Sequence, residues 1–197
     1  MEKSSKIGLG IIILLVVWVG FYVMGIYNTL VTKDEGVKTA WSQVENQYQR
    51  RTDLIPNLVN TVKGYSEHEA ETLEAVIQAR ADATKTQVNV NDAESFAKFQ
   101  ASQDSLSSAL SRLMVVVEQY PDLKADKSFL ELQAQLEGME NRISVERKSY
   151  NETVRGYNIM TRQFPKNFIA NMFGFDLANL FEATEGSDIA PVVDFAS

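Results

Sequence analysis

The sequence predicts an all-α protein: an N-terminal transmembrane helix followed by an elongated antiparallel helical bundle of long helices. Three observations carry this. Residues Ile7 to Ile26 form a run of 20 residues without charge. Beyond it, apolar residues recur at alternating spacings of three and four, which keeps one stripe on one helix face. No stretch alternates with period two, and 4 prolines and 10 glycines in 197 residues leave little material for a turn-rich sheet protein.

The first element is the run "IGLGIIILLVVWVGFYVMGI". At about 1.5 Å per residue it rises roughly 30 Å, one hydrocarbon core. Trp18, Tyr22 and Tyr27 sit in or near its second half, within reach of a headgroup layer. The run exceeds a usual signal-peptide core and no small-x-small cleavage site follows it, so a retained anchor over 7–27 is expected after a short flank, 1–6. Lys3 and Lys6 before the span balance Lys33 and Lys38 after it. The N-terminal amine tips that tie towards a cytoplasmic N-terminus, with the bundle on the exported side.

The bundle is expected over 28–164. Its first seam is Val37, Trp41, Val44, Tyr48, Arg51, Ile55, Leu58, Val62 and Tyr65, closing at Gly64. Ser66 and Glu69 make a capping box for a second helix through Leu73, Ile77 and Arg80. After the polar "KTQVNVND", Asn91 with Glu94 offers a cap for a third helix: Phe96, Phe99, Gln103, Leu106, Leu110, Leu113, Val117, Tyr120, stopped by Pro121. A fourth starts near Asp126 and runs Phe129, Leu132, Leu136, Met139, Ile143, Glu146, Tyr150, Thr153, Tyr157, Met160, Phe164, until Pro165. Helices of about 28 to 38 residues span roughly 40–55 Å, so the bundle should be a rod. Gly36, Gly138 and Gly156 inside it mark either close helix approaches or flexibility.

Two seam positions are charged. A lone buried charge costs several kcal/mol, so Arg51 and Glu146 each need a partner or a wet site. One reading sends Arg51 to the rim, its stem packed and its guanidinium in water. The other draws an inward cluster from Arg50, Arg51, Asp53, Glu140 and Glu146, with Glu146 and Glu140 the leading partners for Arg51. Pro56 removes a backbone donor, frees the carbonyl of Thr52 and should bend the first helix there.

The stretches "YNTLV", "AWSQVENQYQRRTDLIPNLVNTVKGYSEHE", "YPDLKADKSFLELQAQLEGMENRISVERKSYNETVRGYN" and "FPKNFIANMFGF" resemble the bacterial LemA family from about Tyr27 to Phe181. The resemblance implies one N-terminal anchor before a long helical bundle of obscure activity. Many relatives carry a lipobox Gly-Cys before the YN-x-LV motif. Here Ile26 follows Gly25, so the segment should remain a true span, and the alignment favours an exported bundle. The family's tryptophan, arginine pair and proline fall on Trp41, Arg50, Arg51 and Pro56. Its R-x-x-YN element falls on Arg147, Tyr150 and Asn151. No catalytic residue comes with the resemblance.

Chemistry is sparse. There is no cysteine, and the single histidine, His68, lacks the second histidine of an H-E-x-x-H pair because Thr72 stands there. No nucleophile elbow, P-loop or dinucleotide turn occurs. An enzyme is not expected, nor a cofactor or metal. The chain's net charge is −7 and its residues up to the end of the anchor carry +1 (Glu2, Lys3, Lys6), so the acidic excess lies beyond the anchor and argues against nucleic acid as a partner. The segment 165–181 concentrates Phe168, Phe173 and Phe175 with other apolar residues; it either caps the bundle end or docks another surface. Residues 182–197 are acidic and expected to be loose.

The expected protein is thus a membrane-tethered scaffold or interaction protein of the bacterial cytoplasmic membrane and envelope. Its expected partners are the lipid bilayer through 7–27, further copies of itself, and an unidentified membrane or envelope protein. An adaptor or accessory subunit of a membrane protease or export system is the alternative.

Overall fold

The computed structural model describes residues 2–65 and 69–182, with side chains from residue 7 onward. The capping-box residue Ser66, His68 and the tail beyond Glu182 lie outside the described residues. Among the described residues there are six helices and no strand: α1 (Glu2–Lys63), α2 (Ala70–Lys85), α3 (Ala93–Val117), α4 (Pro121–Lys124), α5 (Lys127–Arg162) and α6 (Lys166–Phe173).

The anchor and the first bundle helix are one element. α1 runs 62 residues without a break, roughly 90 Å at 1.5 Å per residue. Its first part is exposed on every side, from Ile7 at 62% to Met24 at 58%, which fits a single-pass membrane anchor. From Ile26 on, one face is buried. α1 packs chiefly against α5, then α2 and α6, while α2 packs against α3. The chain climbs away from the span along α1, returns along α2, climbs along α3 and descends the full length along α5.

Helix starts follow cap chemistry. Asp126 accepts from the Phe129 N–H at 2.9 Å and opens α5. Asp92, rather than the expected Asn91, opens α3 by accepting from the Ser95 N–H at 3.0 Å. Asn91 turns its amide to the carbonyls of Asp176 and Leu177 instead. Pro121 does not merely end α3; it starts the short α4, where its missing N–H costs nothing. α6 ends on Gly174 in the left-handed region, φ 73°, which glycine adopts without a Cβ clash.

The core has three layers along the rod. The distal one is aliphatic, built from residues such as Ile55, Leu58, Leu106, Leu113 and Leu136. The middle one is aromatic: Trp41, Tyr48, Phe96, Phe99, Tyr150 and Phe181, with Trp41 within 5.2–6.0 Å of four other rings. Pairs of this kind contribute about 0.5–1.5 kcal/mol each beyond area burial. The third joins Ile26 and Leu30 of α1 to Met160, Ile169 and Ala170.

Several seam assignments shift. In α2 Val76 is buried and Ile77 is 45% exposed. In α5 the positions seven apart, Phe129, Leu136, Ile143, Tyr150 and Tyr157, are all buried, but Met139, Glu146 and Thr153 are only half-buried. A straight α-helix drifts about 20° per heptad against a strict 3.5 repeat, so Val154 replaces Thr153 in the core. Gly138 and Gly156 have no atom within 4 Å of where a Cβ would stand, so neither marks a close helix approach, whereas a Cβ at Gly36 would meet Thr153 Cγ2 of α5 at 3.8 Å, an ordinary contact.

Candidate functional site

Two features depart from plain bundle packing. The first is a polar site between the aliphatic and aromatic layers. Arg51 is 2% exposed, so the rim reading fails. Its Nη1 donates to Glu140 Oε2 at 2.8 Å and to Ser107 Oγ at 2.9 Å. Its Nη2 donates to Gln103 Oε1 at 2.7 Å. Its Cζ lies 5.1 Å from the centre of the Tyr48 ring, a cation–π distance. Nε is buried without a protein partner among the described residues. Burial pushes the Tyr48 hydroxyl above its ordinary value, opposed by the charges of Arg147 and Arg51.

The ion pair is lopsided: the Arg51 side chain is 3% exposed and that of Glu140 is 60% exposed. Glu140 therefore keeps most of its hydration while compensating a buried cation. An open cavity of about 350 Å³ adjoins the pair, walled by Arg51, Ser107, Leu110, Met114, Leu136 and Glu140.

The rest of the expected cluster does not assemble. Glu146 is half-buried and makes no ion pair with Arg51. Helical drift turns it off the seam, whereas Glu140 reaches in from the flank of α5. Arg50 is exposed. Asp53 is exposed too, accepting from Gln49 Nε2 one turn back at 2.9 Å. Pro56 lies within α1, and the Thr52 carbonyl it frees accepts from Arg80 Nε at 2.8 Å. Trp41 is the hub of the aromatic layer.

The second feature is a strap. After α6 the chain runs back along α5 as an extended segment, residues 175–182. Asn151 holds Phe181 at both backbone groups, accepting from its N–H at 2.9 Å and donating to its carbonyl at 3.0 Å. Asn158 does the same to Ala178, at 3.0 and 2.8 Å. Beside each asparagine a tyrosine donates its hydroxyl, Tyr150 to the Asn179 carbonyl and Tyr157 to that of Asp176, both at 2.8 Å. Burial pushes the Tyr150 hydroxyl well up, keeping it a donor. Arg147 completes the grip: Nη2 donates to the Glu182 carbonyl at 3.2 Å and Cζ sits 4.5 Å from the centre of the Phe181 ring.

The register has a simple origin. Seven helical residues rise about 10.5 Å, and three extended residues cover about 10 Å. A Tyr-Asn pair repeated at seven therefore meets extended backbone repeated at three. Arg147, Tyr150 and Asn151 thus share one target. Tyr157 and Asn158 were missed, although the repeated "YN" at 150 and 157 was there to be seen. Phe175 is half-buried against Tyr27 and the membrane-proximal layer, whereas Phe168 and Phe173 stay exposed. No cluster of metal-ligating side chains occurs among the described residues.

A family model described as the LemA family matches residues 40–195. Magnetosome protein MamQ 2 of Paramagnetospirillum magneticum is 26% identical over 186 residues, covering 85% of this chain and 68% of that protein. Protein LemA of Metamycoplasma hominis is 27% identical over 165 residues, covering 84% and 73% respectively. Magnetosome protein MamQ of Magnetospirillum gryphiswaldense is 25% identical over 186 residues, covering 85% and 68%.

Proposed function

The chain belongs to the LemA family, and from that premise we propose that it is a membrane-tethered, non-enzymatic scaffold of the bacterial envelope that works through its bundle surfaces and by self-assembly. The observation that carries this is the continuity of α1. One helix supplies both the exposed apolar span and the buried seam of the bundle. An unbroken helix leaves no linker between anchor and bundle, so the rod is held at the membrane in one orientation. That suits a protein that presents a surface.

A candidate surface for self-assembly is the outer face of α5. Leu130, Val145 and Ile159 are 49%, 65% and 59% exposed, and at about 100° per residue they fall within about 60° of one another. The relatives' names point to a structure or a family, not a reaction. The open cavity beside Arg51, where Leu110, Met114 and Leu136 adjoin a polar rim, favours the alternative: an adaptor or accessory subunit of a membrane protease or export system that seats a partner's side chain there.

Cysteine crosslinking separates the two. The chain has no cysteine, so Val145→Cys gives one thiol on the α5 face. Oxidation in native membranes should yield a disulfide-linked dimer under the scaffold reading. No dimer, with crosslinks only to a different protein, would favour the adaptor. An exported bundle also requires an export-dependent reporter fused after Ser197 to be active.

A further inference from the structure

We propose that α6 is an interfacial helix, lying in the headgroup layer of the bilayer that Ile7–Ile26 crosses, with Phe164, Phe168 and Met172 inserted among the lipid chains. The inference rests on the reading of that span as a membrane anchor.

The level of α6 is fixed by its buried side. Ile169 and Ala170 pack on Ile26 and Leu30, with Val23 beside them. Val23 and Ile26 lie in the last turn of the span, where a helix of this length leaves the hydrocarbon. Phe173 rests on Tyr27 with ring centres 4.8 Å apart. α6 is therefore pinned to α1 at the height where lipid gives way to water.

Among the described residues, no protein partner buries its other side. Phe168 and Met172 lie four residues apart on one stripe of α6, with Phe164 in the turn just before it, and the three are 64%, 67% and 76% exposed. Phe164 and Phe168 stack edge-on at 5.9 Å. Large exposed apolar side chains gathered in one patch mark an interaction site. The charge pattern says which kind. Between Phe164 and Phe175 of this acidic chain there is no carboxylate and one cation, Lys166, with Arg162 just before. A short amphipathic segment with aromatic and basic residues and no acid suits a headgroup layer. Phe173, next to Met172 on α6, already rests on Tyr27 just past the end of the span.

Nitroxide labels on single cysteines test this in the full chain, reconstituted in vesicles of phosphatidylcholine and phosphatidylglycerol. Trp18→Cys reports the span, Phe168→Cys reports α6 and Val115→Cys the distal bundle; all three sites are exposed, so folding is spared. Relaxation by oxygen, which concentrates in lipid, is compared with relaxation by a water-soluble nickel chelate. The expected oxygen-to-nickel ratio at 168 is several-fold above that at 115 and on the side of that at 18. A ratio at 168 equal to that at 115, with 18 still in lipid, overturns the inference and leaves the anchor standing. Water-like ratios at both 18 and 168 overturn the anchor as well. Shielding of 168 from both reagents with spin–spin broadening between copies would assign the patch to self-contact and also overturn it.

Discussion

Arg80 donates its Nε–H to the main-chain carbonyl of Thr52 at 2.8 Å. That carbonyl would bond the N–H of residue 56 in an uninterrupted helix, and residue 56 is Pro56. A side chain of α2 thus supplies the donor that the proline of α1 lacks. This lets α1 continue to Lys63 with proline inside it.

The pair should behave as a coupled unit. Arg80→Ala should cost about 1.5–3 kcal/mol, the worth of a charge-assisted bond to a part-buried carbonyl. Pro56→Ala should stabilise, but by less than the ~3 kcal/mol of an interior proline, because Thr52 is already satisfied. In the Pro56→Ala background Arg80→Ala should cost under about 1 kcal/mol. Urea unfolding of the four proteins gives the cycle; additive effects would contradict it.

The lopsided burial of the Arg51–Glu140 pair predicts unequal losses. Glu140→Gln should cost about 1 kcal/mol, since Gln103 and Ser107 still hold the guanidinium and the lost carboxylate was largely solvated. Arg51→Ala should cost about 3–5 kcal/mol, because it empties a buried site and strands Gln103. Glu146→Gln should stay within about 0.5 kcal/mol. Denaturation midpoints check all three, and a loss at Glu146 as large as at Arg51 would sink the assignment.

Asn151 and Asn158 should be needed for the strap in a way that shape alone does not explain. Aspartate keeps the shape but cannot donate to the Phe181 or Ala178 carbonyl. Asn151→Asp and Asn158→Asp should each cost about 1–3 kcal/mol, and the double variant should expose Phe181 and Trp41. Tryptophan fluorescence should then shift to the red. An unshifted spectrum in the double variant would show that the strap holds without them.

The caps give the pH dependence its sign. The N–H of Phe129 holds the Asp126 carboxyl below its ordinary value, helped by the Tyr65 hydroxyl. The N–H of Ser95 does the same to Asp92. A depressed carboxylate stabilises above its unfolded value, about 3.9, and that share is lost as pH falls through the lower folded value. Thermal melts between neutral pH and pH 2 should show the wild type losing stability below about pH 4. The Asp92→Asn/Asp126→Asn variant should start lower and fall less steeply; parallel curves would remove the caps from the explanation.

The heptad arithmetic was legible where packing is dense. Val37, Trp41, Val44, Tyr48, Arg51, Ile55, Leu58 and Val62 are all buried, because α1 has neighbours on one stripe for that whole length. Legibility faded at Tyr65, where α1 has ended, and at Glu146 and Thr153, where drift moved the stripe. The polar contacts were harder to read. That Arg51 needed a partner followed from its seam position. That the partner was Glu140 depended on the axial offset of α1 against α5, which no local pattern encodes. The strap was least legible, since its ties run from side chains to backbone and leave no apolar period.

Light scattering on the purified full chain in detergent tests the central claim most directly. A scaffold that assembles through the α5 face predicts a protein mass of two or more copies per micelle, reduced to one copy by Val145→Lys. A wild-type chain that stays at one copy across the accessible concentration range would contradict self-assembly.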